Sequence, residues 1–270
     1  MSSGENMKFG VIGVGNMANA ILESILDNGV FSPSEIVLYD PYSKVIDKFV
    51  SKGCFVADSP DELLDRSDLV LLAVKPGNIE QALGNLTVNT SGKCIVSIAA
   101  GISSGYLKKF LCEGTYVIRV MPNTPIMVKC GATAIAFNDG VPEKYWNKAV
   151  SIFSNAGSVC FVDESLINAA TAVNGSGPAY FFTMADEMVK AAEEHGLDRE
   201  TALILTAKTM EGAARMLLES GRSPSELADA VSSPGGTTLA ALNEMKNSGF
   251  YEAIRKGMAA CVKRAFELGK

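Results

Sequence analysis

Apolar and polar positions follow two different periods along the chain. Through residue 163, short and nearly uninterrupted apolar runs recur at 8–13, 35–40, 54–57, 69–74, 94–99 and 116–121. Most are β-branched, as strands covered on both faces should be. Helical stretches separate them, which is the β-α-β order of a parallel sheet. Further strands are predicted at 132–137 and 158–162, with a helix over 143–155 between them. From about residue 164 the strand pattern stops. Residues 166–173, 179–195, 199–220, 224–231 and 239–268 carry helical spacing, broken at Gly-rich or Ser-Pro sites. The change of period divides the chain into 1–163, an α/β domain with a parallel sheet, and 164–270, an all-helical domain.

The first predicted strand runs into Gly13-Val14-Gly15-Asn16-Met17-Ala18 and then a helix. This is G-x-G-x-x-A, the fingerprint of a dinucleotide-binding Rossmann domain. Gly13 permits the tight turn, Gly15 lets a pyrophosphate approach the backbone, and Ala18 lets helix and strand pack closely. Ile12 closes the strand just before the loop. The second strand ends in Asp40, placed to hold a ribose diol and so favouring NADH over NADPH. Asp40-Pro41 is also a good turn pair, and Ser43 and Lys44 nearby are candidates for contacting a phosphate.

Composition changes the picture in three ways. Of 270 residues, 47% are hydrophobic and 20% charged, enough for a sizeable core and too apolar for disorder. No apolar run approaches the ~18 residues of a membrane helix, and residues 1–6 are too short and polar for a secretory signal. The expectation is a cytoplasmic protein without a membrane contact. The balance of 24 basic against 30 acidic residues, net −6, argues against nucleic acid as a partner. An anionic ligand must therefore be attracted locally, as a helix N-terminus does. Six cysteines without a C-x-x-C pair read as reduced thiols, several of them buried. The one histidine, His195, reads as a surface residue at a helix end, so no metal is expected and Ser-His-Asp chemistry is disfavoured.

Other strand ends mark the same crevice. Ala73-Val74-Lys75-Pro76 ends the fourth strand, and Lys75 reads either as a site residue or as a solvated lysine. Ala99-Ala100-Gly101 ends the fifth with residues small enough for a nicotinamide ring to approach. The sixth ends in Met121-Pro122-Asn123-Thr124-Pro125, a loop stiffened by two prolines with Asn123 as its best polar contact. In the helical half, Asn174-Gly175-Ser176-Gly177-Pro178 interrupts a helical pattern, by tight packing or as part of a site. Ser233-Pro234-Gly235-Gly236-Thr237-Thr238 precedes another helix. Its consecutive glycine and threonine N–H groups suit an anion such as a carboxylate, beside the simpler reading of a plain N-cap.

Together these motifs resemble the pyrroline-5-carboxylate reductase family, in the family's order and over 7–269. The resemblance implies a Rossmann domain followed by an all-helical dimerisation domain, in a homodimer or higher homo-oligomer. It implies reduction of a small molecule, L-1-pyrroline-5-carboxylate, to L-proline with NADPH or NADH. By resemblance, Ile12 to Met17, Asp40, Val74, Lys75 and Ala100 fall on cofactor positions. The loop from Ser233 to Thr237 would take the substrate carboxylate, Thr238 the ring nitrogen, and Glu164 another proline-binding position. Glu164 reads equally well as a charged first-turn residue. Asp40 departs from the smaller residue the family often has there, and Ala230 from a polar cofactor contact. A protonated cyclic imine is already electrophilic, so Thr238 suffices to orient the nitrogen. A 3-hydroxy-acid dehydrogenase would need a base where this chain has Phe181. A non-catalytic dinucleotide sensor would not need the second anion loop.

Overall fold

The predicted strands form one eight-stranded sheet in a computed structural model describing residues 7–42, 44, 46–137 and 140–269. They are β1 Phe9–Ile12, β2 Ile36–Tyr39, β3 Phe55–Val56, β4 Leu69–Leu72, β5 Cys94–Ser97, β6 Tyr116–Met121, β7 Gly131–Phe137 and β8 Gly157–Asp163. Helices α1 Asn16–Asp27, α2 Asp47–Val50, α3 Pro60–Asp65, α4 Ile79–Leu83, α5 Ser104–Leu107 and α6 Glu143–Ser154 lie between them. The order is β3-β2-β1-β4-β5-β6-β7-β8. The reversal between β1 and β4 opens the crevice at which such sheets bind ligands.

The sheet departs from the all-parallel expectation at one place, where β7 pairs antiparallel with β6. Only nine residues, with a single 3-10 turn at Thr124–Val128, join them. That is too short for a crossover helix, so the chain reverses. The α6 crossover then sets β8 parallel to β7. Burial explains why β1, β4 and β5 read as continuous apolar runs. One face packs Phe9, Val11, Leu71 and Val96 against Ile21, Leu22 and Ile25 of α1 and Phe153 of α6. The other packs Ile12, Val70, Leu72 and Ile95 against Leu63, Leu64, Ile79 and Leu107.

After β8 the chain is helical, as expected, with α7 Ile167–Ala170, α8 Gly177–Glu194, α9 Arg199–Glu219, α10 Pro224–Ala230, α11 Thr237–Asn247 and α12 Phe250–Leu268. Two readings need correction. The single helix expected over 239–268 is two, because Gly249 adopts φ +84° and breaks it. The stretch 166–173 mixes geometries: a 3-10 turn at Glu164–Leu166, then α7, then a π-helical turn at Thr171–Gly175. The compact units also divide later than the period change. One contains the chain through Ser176 together with Cys261 onward, and the other is Gly177–Ala260.

The cysteines are more exposed than their neighbours suggested. Cys54 and Cys94 are buried, Cys112, Cys130 and Cys160 are exposed, and all six are free. Burial alone pushes the Cys94 thiol up to about 12. His195 is exposed just past the end of α8. No described helix is long and apolar enough to cross a membrane. No group of three or more His, Cys, Asp or Glu among the described residues is placed to hold a metal ion.

Candidate active site

The first turn after β1 has the shape the glycines predict. Gly13 takes φ +87°, a conformation few side chains adopt. A Cβ there would lie 2.9 Å from Val74 Cγ1 and 3.0 Å from Ala73 O. Gly15 has open space where its Cβ would be, so a ligand can reach its backbone. It is also the N-cap of α1, with no side-chain cap and no acidic residue in the first turn. N–H groups left uncapped there could receive an anion. Ala18 is buried against the core, as close helix–strand packing requires.

Asp40 ties this loop to β2. Its Oδ2 accepts from Val14 N at 2.6 Å and its Oδ1 from Tyr42 N at 2.8 Å. The carboxylate therefore organises the turn and also lines the cleft. That cleft, of about 400 Å³, is bounded by Ile12, Gly13, Gly15, Asp40, Tyr42 and Val74, among others. A second groove, of about 360 Å³, continues from it, the two sharing Ala73, Val74 and Lys75. Its walls include Met17, Pro76, Ala99, Ala100, Met121 and Ser176. Lys75 is exposed along both. A glycine-floored cleft at the start of α1, continuing into a groove lined by Ala99 and Ala100, is a place that could hold a dinucleotide.

Three expected residues behave differently. Val14 is buried and contributes its backbone to the Asp40 contact. Asn16 is exposed at the start of α1 but lines neither half of this cleft. Asn123 is 7% exposed, and its Oδ1 accepts from Ala132 N at 2.9 Å, closing the β6–β7 loop. Ser43 lies outside the described residues.

The Asn174–Gly177 motif has a specific job. Asn174 Nδ2 donates to Met121 O at 2.7 Å and Ala132 O at 2.8 Å, clamping the π-turn to the ends of β6 and β7. Gly175 approaches so closely that a Cβ would sit 3.2 Å from Met121 Sδ. These contacts bring Thr171, Gly175 and Ser176 to the groove wall. Ser176 Oγ lies 3.2 Å from Cys261 Sγ.

Glu164 is engaged on both oxygens. Oε1 accepts from Ser104 N at 2.8 Å and Arg119 Nη1 at 3.3 Å, and Oε2 accepts from Ser104 Oγ at 2.6 Å. Burial pushes its carboxyl up, but the Ser104 donors and the Arg119 charge outweigh that and hold it below the usual range. Burial lowers the Arg119 pKa, and Glu164 opposes the shift. Arg119 was missed in the sequence. Its signal was available: one charged residue in the apolar run Tyr116-Val117-Ile118-Arg119-Val120-Met121.

Within Gly177–Ala260, the loop before α11 carries the second motif. Gly235 takes φ +73° and Gly236 N donates to Ser233 O at 2.9 Å, forming a tight turn. Gly236 is the N-cap of α11 and makes no side-chain cap. Thr237 is exposed and Thr238 half-buried at the start of that helix. Free backbone donors beside two hydroxyls suit a carboxylate.

The reversed sheet, the glycine turn and the paired clefts define a Rossmann-type, dinucleotide-dependent oxidoreductase. A family model described as pyrroline-5-carboxylate reductase dimerisation matches residues 164–268, and one described as coenzyme F420-dependent NADP oxidoreductase matches 8–101. The chain belongs to the pyrroline-5-carboxylate reductase family. It is 37% identical to the pyrroline-5-carboxylate reductase of Methanosarcina acetivorans over 98% of this chain and 99% of that one. The Escherichia coli enzyme is 35% identical over 97% and 98%. Among solved structures, a Plasmodium falciparum pyrroline carboxylate reductase with NADP bound superposes with a TM-score of 0.90 at 27% identity, covering 98% of this chain and 99% of that one. A pyrroline-5-carboxylate reductase from Coxiella burnetii gives 0.86 at 34% identity, covering 98% and 100%.

Proposed function

We propose that this protein reduces the cyclic imine L-1-pyrroline-5-carboxylate to L-proline, the last step of proline synthesis, with NADPH or NADH. The observation that carries the reading is the full-length family match on a chain that keeps both a nucleotide cleft and an uncapped Gly235-Gly236 helix start. Bound NAD(P)H supplies the hydride. The chain's own contribution is binding and alignment. Backbone donors at Gly15 and the start of α1 hold phosphate, Asp40 takes a ribose hydroxyl, and Ala99 and Ala100 admit the ring. The loop from Ser233 to Thr237 takes the substrate carboxylate.

Thr238 accepts from the protonated ring nitrogen and orients C=N toward the hydride, and no strong acid is needed because the imine is already electrophilic. Asp40 sets the cofactor preference toward NADH, since a 2′-phosphate would meet its carboxylate. The segment 164–270 binds substrate and joins subunits into a cytoplasmic homodimer or larger assembly. The test is L-proline formation by the wild type and by Thr238→Ala. The variant should lose roughly a hundredfold in kcat while binding reduced cofactor normally. Full turnover by the variant would remove Thr238 from the mechanism, and absence of proline from the wild type would remove the substrate.

A further inference from the structure

One buried cation plays no part in the reaction just described. Arg119 is 7% exposed in a strand that is otherwise apolar. Its Nη2 is buried without a hydrogen-bond partner among the described residues, and Nη1 meets Glu164 Oε1 at 3.3 Å. Burying an ion pair costs desolvation that its attraction often fails to recover, so apolar replacements of such pairs are commonly neutral or stabilising. A stability role is therefore a weak explanation for this one.

Its placement supplies a stronger explanation. Glu164 passes the contact on to Ser104, holding both its amide and its hydroxyl. Ser104 opens α5, and the segment 98–103 between it and β5 contains Ala99 and Ala100 of the apolar groove. The same segment is fixed from another side at Gly101, which has φ +79° and would bring a Cβ within 2.4 Å of Ala265 O. The groove floor is thus held by shape at Gly101 and by charge at Ser104.

We propose that Arg119 is a positioning residue for hydride transfer: by holding Glu164 against Ser104, it fixes the Ala99–Ser104 segment, whose Ala99 and Ala100 line the nicotinamide groove. This rests on the reading that the groove receives the nicotinamide of an imine reductase. The groups facing the Glu164 carboxylate are Arg119 from β6 and Ser104 from α5. Without the guanidinium, burial is opposed only by the Ser104 donors, so Glu164 protonates at higher pH than in the wild type. A protonated carboxyl cannot accept both Ser104 hydrogen bonds as strongly.

The experiment measures pyrroline-5-carboxylate reduction from pH 4 to pH 9, so that the window reaches the carboxylate range, for the wild type, Arg119→Met, Arg119→Lys and Glu164→Gln, with melting temperatures alongside. Arg119→Met should lower kcat about tenfold with KM for the imine changed much less. Its rate relative to the wild type should fall further as pH decreases. Arg119→Lys should restore much of the rate. Glu164→Gln, which cannot ionise, should lose rate by a factor that is flat with pH. A pH-independent ratio for Arg119→Met, or Arg119→Lys as impaired as Arg119→Met at the same melting temperature, would overturn the proposal. If Arg119→Met does not fold, the Arg119→Lys and Glu164→Gln profiles decide it alone. A wild type that reduces no imine at any pH sinks the functional reading instead.

Discussion

The sheet-bearing unit and the helical unit Gly177–Ala260 solve the burial problem differently. In the first, whole strands are sealed: Phe9, Val11, Leu69 to Leu72 and Ile118 are at most 1% exposed. In the second, buried positions are few, with Val189, Ala202 and Thr206 among them, while Phe181, Phe182, Leu203, Ile204, Leu205 and Leu218 are all more than half exposed. An apolar surface of that extent marks an interaction site rather than a finished domain. The family's dimerisation segment spans these helices. One region thus carries a core complete within a single chain, and the other carries a surface completed by association.

The contrast breaks most sharply at Gly13. Gly13→Ala strains a φ of +87° and drives a methyl toward Val74 and Ala73 O. Reduced-cofactor affinity should fall roughly a hundredfold, as read by NADH fluorescence titration, with assembly unchanged. Unaltered affinity would mean that the turn does not receive the nucleotide. The mirror experiment is the Leu203→Asp, Ile204→Asp double variant. It should weaken self-association by roughly ten- to a hundredfold in sedimentation velocity while cofactor affinity holds. A variant that stays assembled would move the interface off α9.

Smaller effects sharpen the picture inside the first unit. Asn174→Ala leaves Met121 O and Ala132 O without their donor and should cost about 2 kcal/mol in denaturant unfolding. A neutral result would mean that the π-turn holds itself. Asp40→Ser removes the charge opposed to a 2′-phosphate. It should shift the NADPH-to-NADH ratio of kcat/KM by roughly tenfold toward NADPH, with some loss of loop stability because Val14 N loses its partner. An unchanged ratio would leave Asp40 as a turn residue alone.

The sequence disclosed most of what the sheet-bearing unit does because its signals are local. Covered strands leave apolar runs, and a phosphate turn needs glycine at fixed positions. The Gly235-Gly236 turn before α11 was visible for the same reason. What stayed hidden depends on partners distant in sequence. The antiparallel β7 follows from a nine-residue connection rather than from any feature of the strand. An Asn-Gly break marks an interruption without specifying a π-turn, which requires Met121 and Ala132 to be within reach of Asn174. Glu164 could not be separated from an ordinary first-turn acid until Ser104 and Arg119 were placed beside it. The break at Gly249 was written in the sequence but masked by helical spacing on both sides.

The central claim is that this protein reduces the imine L-1-pyrroline-5-carboxylate with a bound nicotinamide nucleotide. Its most direct measurement is loss of reduced-nicotinamide absorbance on adding pyrroline-5-carboxylate, with NADH and NADPH in parallel. The account predicts rapid, saturable loss matched one for one by L-proline, and faster with NADH. Binding of both cofactors with consumption of neither would contradict it.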